Sequence, residues 1–98
     1  MPAYVIVEAE VTDPEQYKQY MAASPGAVAA GGGRFVARGG ETVTLEGDWQ
    51  PKRIVVLEFP DLETATRWYH SDEYQSVKRL REGAADFHAI AVAGVDAP

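Results

Sequence analysis

Apolar and polar positions alternate with period two over Ala3–Val11. Val5, Val7, Ala9 and Val11 share one face, and Tyr4, Ile6, Glu8 and Glu10 the other. Alternation rich in β-branched residues predicts a strand. Thr12-Asp13-Pro14 stops it. Asp13 is placed to cap a helix with Pro14 in its first position and Gln16 in its third, a capping-box variant. Tyr17, Tyr20 and Met21 fall on one stripe of that helix. Ser24-Pro25-Gly26 is expected to interrupt it, with a further turn over residues 27–30 before Gly31-Gly32-Gly33.

Residues 34–38 (RFVAR) read as a second strand, followed by a turn or bulge at Gly39-Gly40. Residues 42–45 are expected to continue extended, and residues 47–51 to form a hairpin connection. Residues 53–59 (RIVVLEF) make the most hydrophobic strand, expected near the centre of the sheet. Asp61 can cap a helix carrying Leu62, Ala65, Trp68 and Tyr69, and Ser71 can cap a further segment running from Asp72 to about Glu82. Gly83 is expected to end that segment, and residues 87–95 alternate again as the last strand. The order is β-α-β-β-α-β, so the expected fold is α+β: one ferredoxin-like domain over residues 1–98, a four-stranded antiparallel sheet with helices on one face. Strands one, three and four carry apolar residues on both faces. A sheet covered on one side only would leave an apolar patch, and a second copy packed sheet to sheet would cover it. A homodimer is therefore expected.

Composition narrows the chemistry. The 98 residues carry no cysteine, which excludes disulfides, thiolate metal sites and cysteine nucleophiles. Fifteen acids against nine bases give a net charge of −6, which argues against nucleic acid and anionic membranes as partners. The start, MPAYVIVEAEV, has no basic region followed by an apolar block, and no run approaches the roughly 18 apolar residues of a membrane span. A cytoplasmic protein is expected.

Few residues stand out as chemically suggestive. The glycine triplet precedes a strand and lacks a following Lys-Ser/Thr pair, so it is a turn and not a phosphate loop. His70 ends a helix, and His88 shares a sheet face with Ile90 and Val92. They have no metal-ligand spacing, so neither a metal nor a cofactor is expected. Glu58 interrupts the most apolar strand, in phase with Ile54 and Val56, and is the candidate catalytic carboxylate. A carboxylate withdrawn from water must pair with a cation or take a raised pKa. Arg81, on the helical face of Tyr74 and Val77, is its expected partner. Tyr4, Tyr17, Tyr20, Trp68, Tyr69 and Tyr74 come from the first strand and the helices and could wall a cavity between sheet and helices. Arg34, Arg38 and Arg53 occupy strand positions where they could meet a ligand carboxylate or sit on the sheet rim. The candidate ligand-binding set is Tyr20, Arg38, Glu58, Trp68, Tyr74 and Arg81.

Four segments carry a family resemblance: VTDPEQYKQY at 11–20, GGGRFVARGG at 31–40, LEGDWQPKRIVVLEF at 45–59 and SDEYQSVKRLREGAA at 71–85. In this order and spacing the chain resembles the bacterial family known as domain of unknown function 1330. One departure is Asp72, where the family's pattern has proline; both suit a helix first turn. The resemblance implies a dimeric α+β barrel made by two ferredoxin-like subunits, and it supplies no activity. Mapped onto this chain, the family's recurrent residues include Tyr20, Arg38, Arg53, Glu58, Tyr74 and Arg81. Two functions follow from the residues. One is binding or proton transfer on a small organic acid or lactone in the sheet–helix cavity. The other is a non-catalytic dimeric module for structure or protein interaction.

Overall fold

In a computed structural model, which describes residues 1–96, the chain is a sheet with its helices laid on one side. Strand β1 (Ala3–Val11) leads into α1 (Pro14–Ala30), β2 (Arg34–Arg38), β3 (Ile54–Phe59), α2 (Leu62–His70) and α3 (Asp72–Lys78). A 3₁₀ turn at Arg79–Arg81 then leads to β4 (Ala85–Ala93). The sheet order is β2-β3-β1-β4, and every neighbouring pair is antiparallel. This is the ferredoxin-like α+β arrangement, with the hydrophobic β3 inside the sheet as expected. Among the described residues no helix is long and apolar enough to cross a membrane.

Phase along the strands decides which residues enter the core. Val5, Val7 and Ala9 of β1 and Val55, Leu57 and Phe59 of β3 are buried under the helices. Burying each larger aliphatic or aromatic side chain stabilises the fold by roughly 1.5–3 kcal/mol. Phe59 stacks on Trp68 at 5.1 Å, and Trp68 on Tyr74 at 4.3 Å between ring centroids. The glycine triplet makes room for these rings: a Cβ on Gly33 would sit 2.5 Å from the Phe59 ring, and Gly32 holds φ at 88°. Asp61 and Ser71 cap α2 and α3 by accepting the N–H of Thr64 (2.7 Å) and Tyr74 (3.1 Å). The Asp61 carboxyl is held below its usual range, first by the Thr64 hydroxyl and then by the Thr64 N–H.

Several expectations need correction. Asp13 does cap α1, but Gln16 does not return the bond. Its amide donates instead to the carbonyls of Leu80 (3.2 Å) and Glu82 (2.8 Å), tying α1 to the 3₁₀ turn. Ser24-Pro25-Gly26 does not interrupt α1, which runs unbroken through Pro25. Residues 42–45 pair with nothing in the sheet. Gly39 turns at φ 70° and donates to the Ile54 carbonyl at 2.8 Å, closing the ladder there. Residues 40–52 consequently form an arm beyond the sheet, with Val43, Leu45 and Trp49 exposed, and Arg53 rejoins it by accepting the Ala9 N–H at 2.9 Å.

The strands alternate onto a second face as well. Tyr4, Ile6, Val56, Ile90 and Val92 share the side away from the helices, where Ile6 pairs with both Val56 and Ile90. Ile90 is 64% exposed. This open apolar face is the one anticipated from the alternation.

Candidate functional site

A small cavity lies between the helix-side face of the sheet and α1. Tyr17, Tyr20 and Met21 line it from α1, Phe35 and Leu57 from the sheet, and Trp68 from α2. The room inside is about 30 Å³, and about 390 Å³ when the space out to open solvent is counted. The smaller figure is enough for a water molecule or two.

Two arginines from the strands stand in this lining. Arg53 is in phase with Val55 and Leu57 and therefore faces the helices, its guanidinium packed over Gly39, which has no Cβ to obstruct it. Arg38 arrives by a different route. Strict alternation would put it on the same face as Arg34, but a bulge between Phe35 and Ala37 shifts the register and pairs Arg38 with Val55. Arg38 then stacks over the Phe35 ring at 4.5 Å and donates to the Met21 carbonyl at 2.7 Å. That carbonyl is free because its normal helical partner is Pro25, which has no N–H. The proline that looked like a break is thus a docking point for Arg38.

The polar lining is three neutral hydroxyls, of Tyr17, Tyr20 and Ser24, beside two guanidiniums and an indole N–H. The Arg53 Nε and Trp68 Nε1 are buried with no hydrogen-bond partner, and among the described residues no carboxylate lines the cavity. Tyr20 and Tyr74 share a hydroxyl–hydroxyl bond of 2.7 Å. Burial first, and the Tyr74 hydroxyl second, push the Tyr20 phenol far above its usual range. Burial also raises Tyr17, with the Arg53 guanidinium working against it. These phenols stay neutral at ordinary pH, able to donate or accept a hydrogen bond but not to serve as bases. Arg81 lies beyond Tyr74 and Phe87, 8% exposed, with its guanidinium 3.6 Å from the Phe87 ring centroid.

The candidate residues therefore divide. Tyr20, Arg38 and Trp68 line the cavity, Tyr74 backs Tyr20, and Arg81 sits on the far side of Phe87. Glu58 does not join them. It is in phase with Ile54 and Val56, as the spacing predicts, but that face is the open one, and there Glu58 accepts from the Arg34 Nε at 2.7 Å. The expected Glu58–Arg81 pair is absent because the sheet lies between them. Glu58 is thus a partly exposed surface ion pair on the opposite side from the cavity, with Arg34 on the sheet rim. Three polar lining residues stand outside the candidate set, Tyr17, Ser24 and Arg53, and of these Arg53 is legible in the sequence from its phase with Val55, Leu57 and Phe59. Among the described residues no cluster of three or more His, Asp or Glu side chains could hold a metal.

Comparison with known proteins places this architecture. A protein of unknown function from Rhodopseudomonas palustris, RPA0582, superposes with a TM-score of 0.74 at 18% identity, over 98% of this chain and 84% of that one. SnoaB, a cofactor-independent oxygenase from Streptomyces nogalater, gives 0.64 at 13% identity, over 98% and 95%. A dimeric ferredoxin-like protein of unknown function from Thermobifida fusca gives 0.61 at 16% identity, over 95% and 91%. At these identities the likeness is one of fold. No curated protein matches the chain. The model of one family spans residues 2–95, and on that match the chain belongs to the family described as domain of unknown function DUF1330.

Proposed function

We propose that the protein binds a small, oxygen-rich organic acid or lactone in the sheet–helix cavity. The carrying observation is the charge of its polar lining: two guanidinium groups with only neutral hydroxyls and an indole N–H around them, the Arg53 Nε and Trp68 Nε1 unpaired, and no carboxylate among the described lining residues. Leaving a buried donor unsatisfied costs about 1–3 kcal/mol, so a ligand that supplies acceptors removes that penalty. A carboxylate would suit the guanidiniums of Arg38 and Arg53, which both line the cavity, and an apolar body its Phe35, Tyr17 and Trp68 walls. Entry requires the cavity to widen, and Arg38 supplies the movable part, since it is exposed and held by one bond to Met21. Binding is favoured over proton transfer, because Glu58 is on the other face and the cavity tyrosines stay neutral.

The fold of a cofactor-independent oxygenase resembles this one, which is compatible with chemistry on a bound organic anion. One observation favours the non-catalytic module instead: the enclosed room of about 30 Å³ is far below the ~300 Å³ and more of ordinary ligand pockets. Titrating benzoate and a neutral analogue, benzyl alcohol, into the protein by calorimetry separates the two. Benzoate is expected to bind and to raise the melting temperature, with Arg53→Met weakening it about tenfold or more. Equal behaviour of benzoate and the alcohol, or indifference to Arg53→Met in a folded variant, overturns the binding proposal.

The open face is read as a dimer interface. Ile6, Val36, Ile90 and Val92 are exposed on or beside it, and a similar fold from Thermobifida fusca is dimeric. Two such faces packed together would cover both apolar surfaces.

A further inference from the structure

A second concavity of about 590 Å³ lies on the helix side of β4, separated from the first cavity by the Phe87 ring. Its floor is Ala89 and Ala91, in phase with Phe87 and thus turned toward the helices, and too small to fill the space. Thr66 and Tyr69 of α2 form one wall, with Lys78 and Arg81 at the other. Neither cation pairs with a carboxylate among the described residues. Lys78 sits over the Tyr69 ring at 5.4 Å. Arg81 is more than nine-tenths buried, its Nε has no partner, and its Nη2 reaches only the Tyr74 hydroxyl at 3.4 Å. Asp86 is the one acid on the rim, in phase with His88 on the opposite face of the sheet.

A buried guanidinium without a counter-ion is costly, and the rings of Phe87 and Tyr20 offset that cost only partly. A planar or tetrahedral oxyanion would supply the absent counter-charge, since a guanidinium fork can grip one at two points. The alanine floor and the Tyr69 wall add an apolar bed for a body the size of one ring, within the usual volume of small-molecule sites. We propose that the β4 groove is a second binding site, taking a small organic oxyanion through Arg81 and Lys78. The groove opens along the edge strand β4, with Ile90 and Asp86 of the other sheet face on its rim.

The test uses ¹⁵N-labelled full-length protein titrated with benzoate, phenyl phosphate and benzyl alcohol, observed by amide shifts. The two anions are expected to move the amides of Thr66, Lys78, Ala89 and Ala91, and the alcohol to leave them in place. Their relative affinity distinguishes a carboxylate site from a phosphate site. Lys78→Met, which removes a partly exposed charge and should fold, is expected to weaken both anions about tenfold. Arg81→Lys keeps the charge but removes the fork, and is expected to weaken phenyl phosphate as well. Shifts confined to Phe35, Arg38 and Val55 would leave the first cavity standing and sink this one. Unchanged affinity in folded Lys78→Met would sink it equally.

Discussion

Tyr20 shows how one buried hydroxyl ties chemistry to stability. Its oxygen is 2.7 Å from that of Tyr74, and Tyr74 in turn is the hydroxyl nearest Arg81. The folded-state pKa of Tyr20 is raised above its usual value of 10.0, so the neutral form is favoured by folding. Stability from this group is therefore fully present below pH 10.0 and is lost as the pH climbs toward the folded value. Denaturant midpoints measured across the alkaline range are expected to fall past that point in the native protein, and less steeply in Tyr20→Phe. At neutral pH the same variant is expected to cost about 1 kcal/mol for the lost bond. Parallel alkaline slopes in the two proteins would remove Tyr20 from this role. Glu58 carries the opposite lesson at this scale. Period-two spacing gives the residues that share a face, and Ile54, Val56 and Glu58 do share one. It does not say which face the helices cover, and that choice separates a catalytic candidate from a surface ion pair with Arg34.

Helix α1 and strand β2 depend on each other through one bond. Pro25 leaves the Met21 carbonyl without its helical donor, and Arg38 takes that place at 2.7 Å. Substituting Pro25→Ala would restore an N–H to α1 and compete with Arg38 for the same oxygen. A double-mutant cycle is expected to show it: Arg38→Met costs about 0.5–1 kcal/mol in the native background and close to nothing beside Pro25→Ala. An equal cost in both backgrounds would mean the carbonyl is not what holds Arg38. This pairing also explains where sequence reading stopped at the level of elements. The strands, the caps at Asp13, Asp61 and Ser71, and the β-α-β-β-α-β order follow from local periodicity and side-chain chemistry. The continuity of α1 through Pro25 does not, because its compensating donor comes from a strand thirteen residues later. Nor does the bulge at Phe35–Ala37, which moves Arg38 from the open face to the cavity. Residues 42–45 alternate like a strand, yet Gly39 ends the ladder before they can pair.

At the scale of the whole molecule the chain is a thin slab, 41 × 38 × 16 Å between Cα extremes, with one broad side uncovered. Its radius of gyration, 13.7 Å, exceeds the ~12.6 Å expected of an average domain of this length. The flatness and the arm at residues 40–52 both contribute. Val43, Leu45 and Trp49 on that arm are 75%, 93% and 60% exposed, and the Trp49 indole reaches only Glu8 on the open face, at 3.4 Å. Val43, Leu45 and Trp49 border a hollow with Ile6 and Ile54, so the arm extends the apolar face beyond the sheet itself. A second copy would bury both the face and the arm. Light scattering is therefore expected to give twice the 10.7 kDa chain mass, and Ile90→Asp, a charge on the β4 side of the face, to give the monomer mass with the helical signal kept. Dilution is expected to shift fluorescence emission to the red as Trp49 returns to water, while Trp68, buried within each subunit, stays silent. A native protein that runs as a monomer at high concentration, with emission independent of dilution, would leave the open face to some other partner.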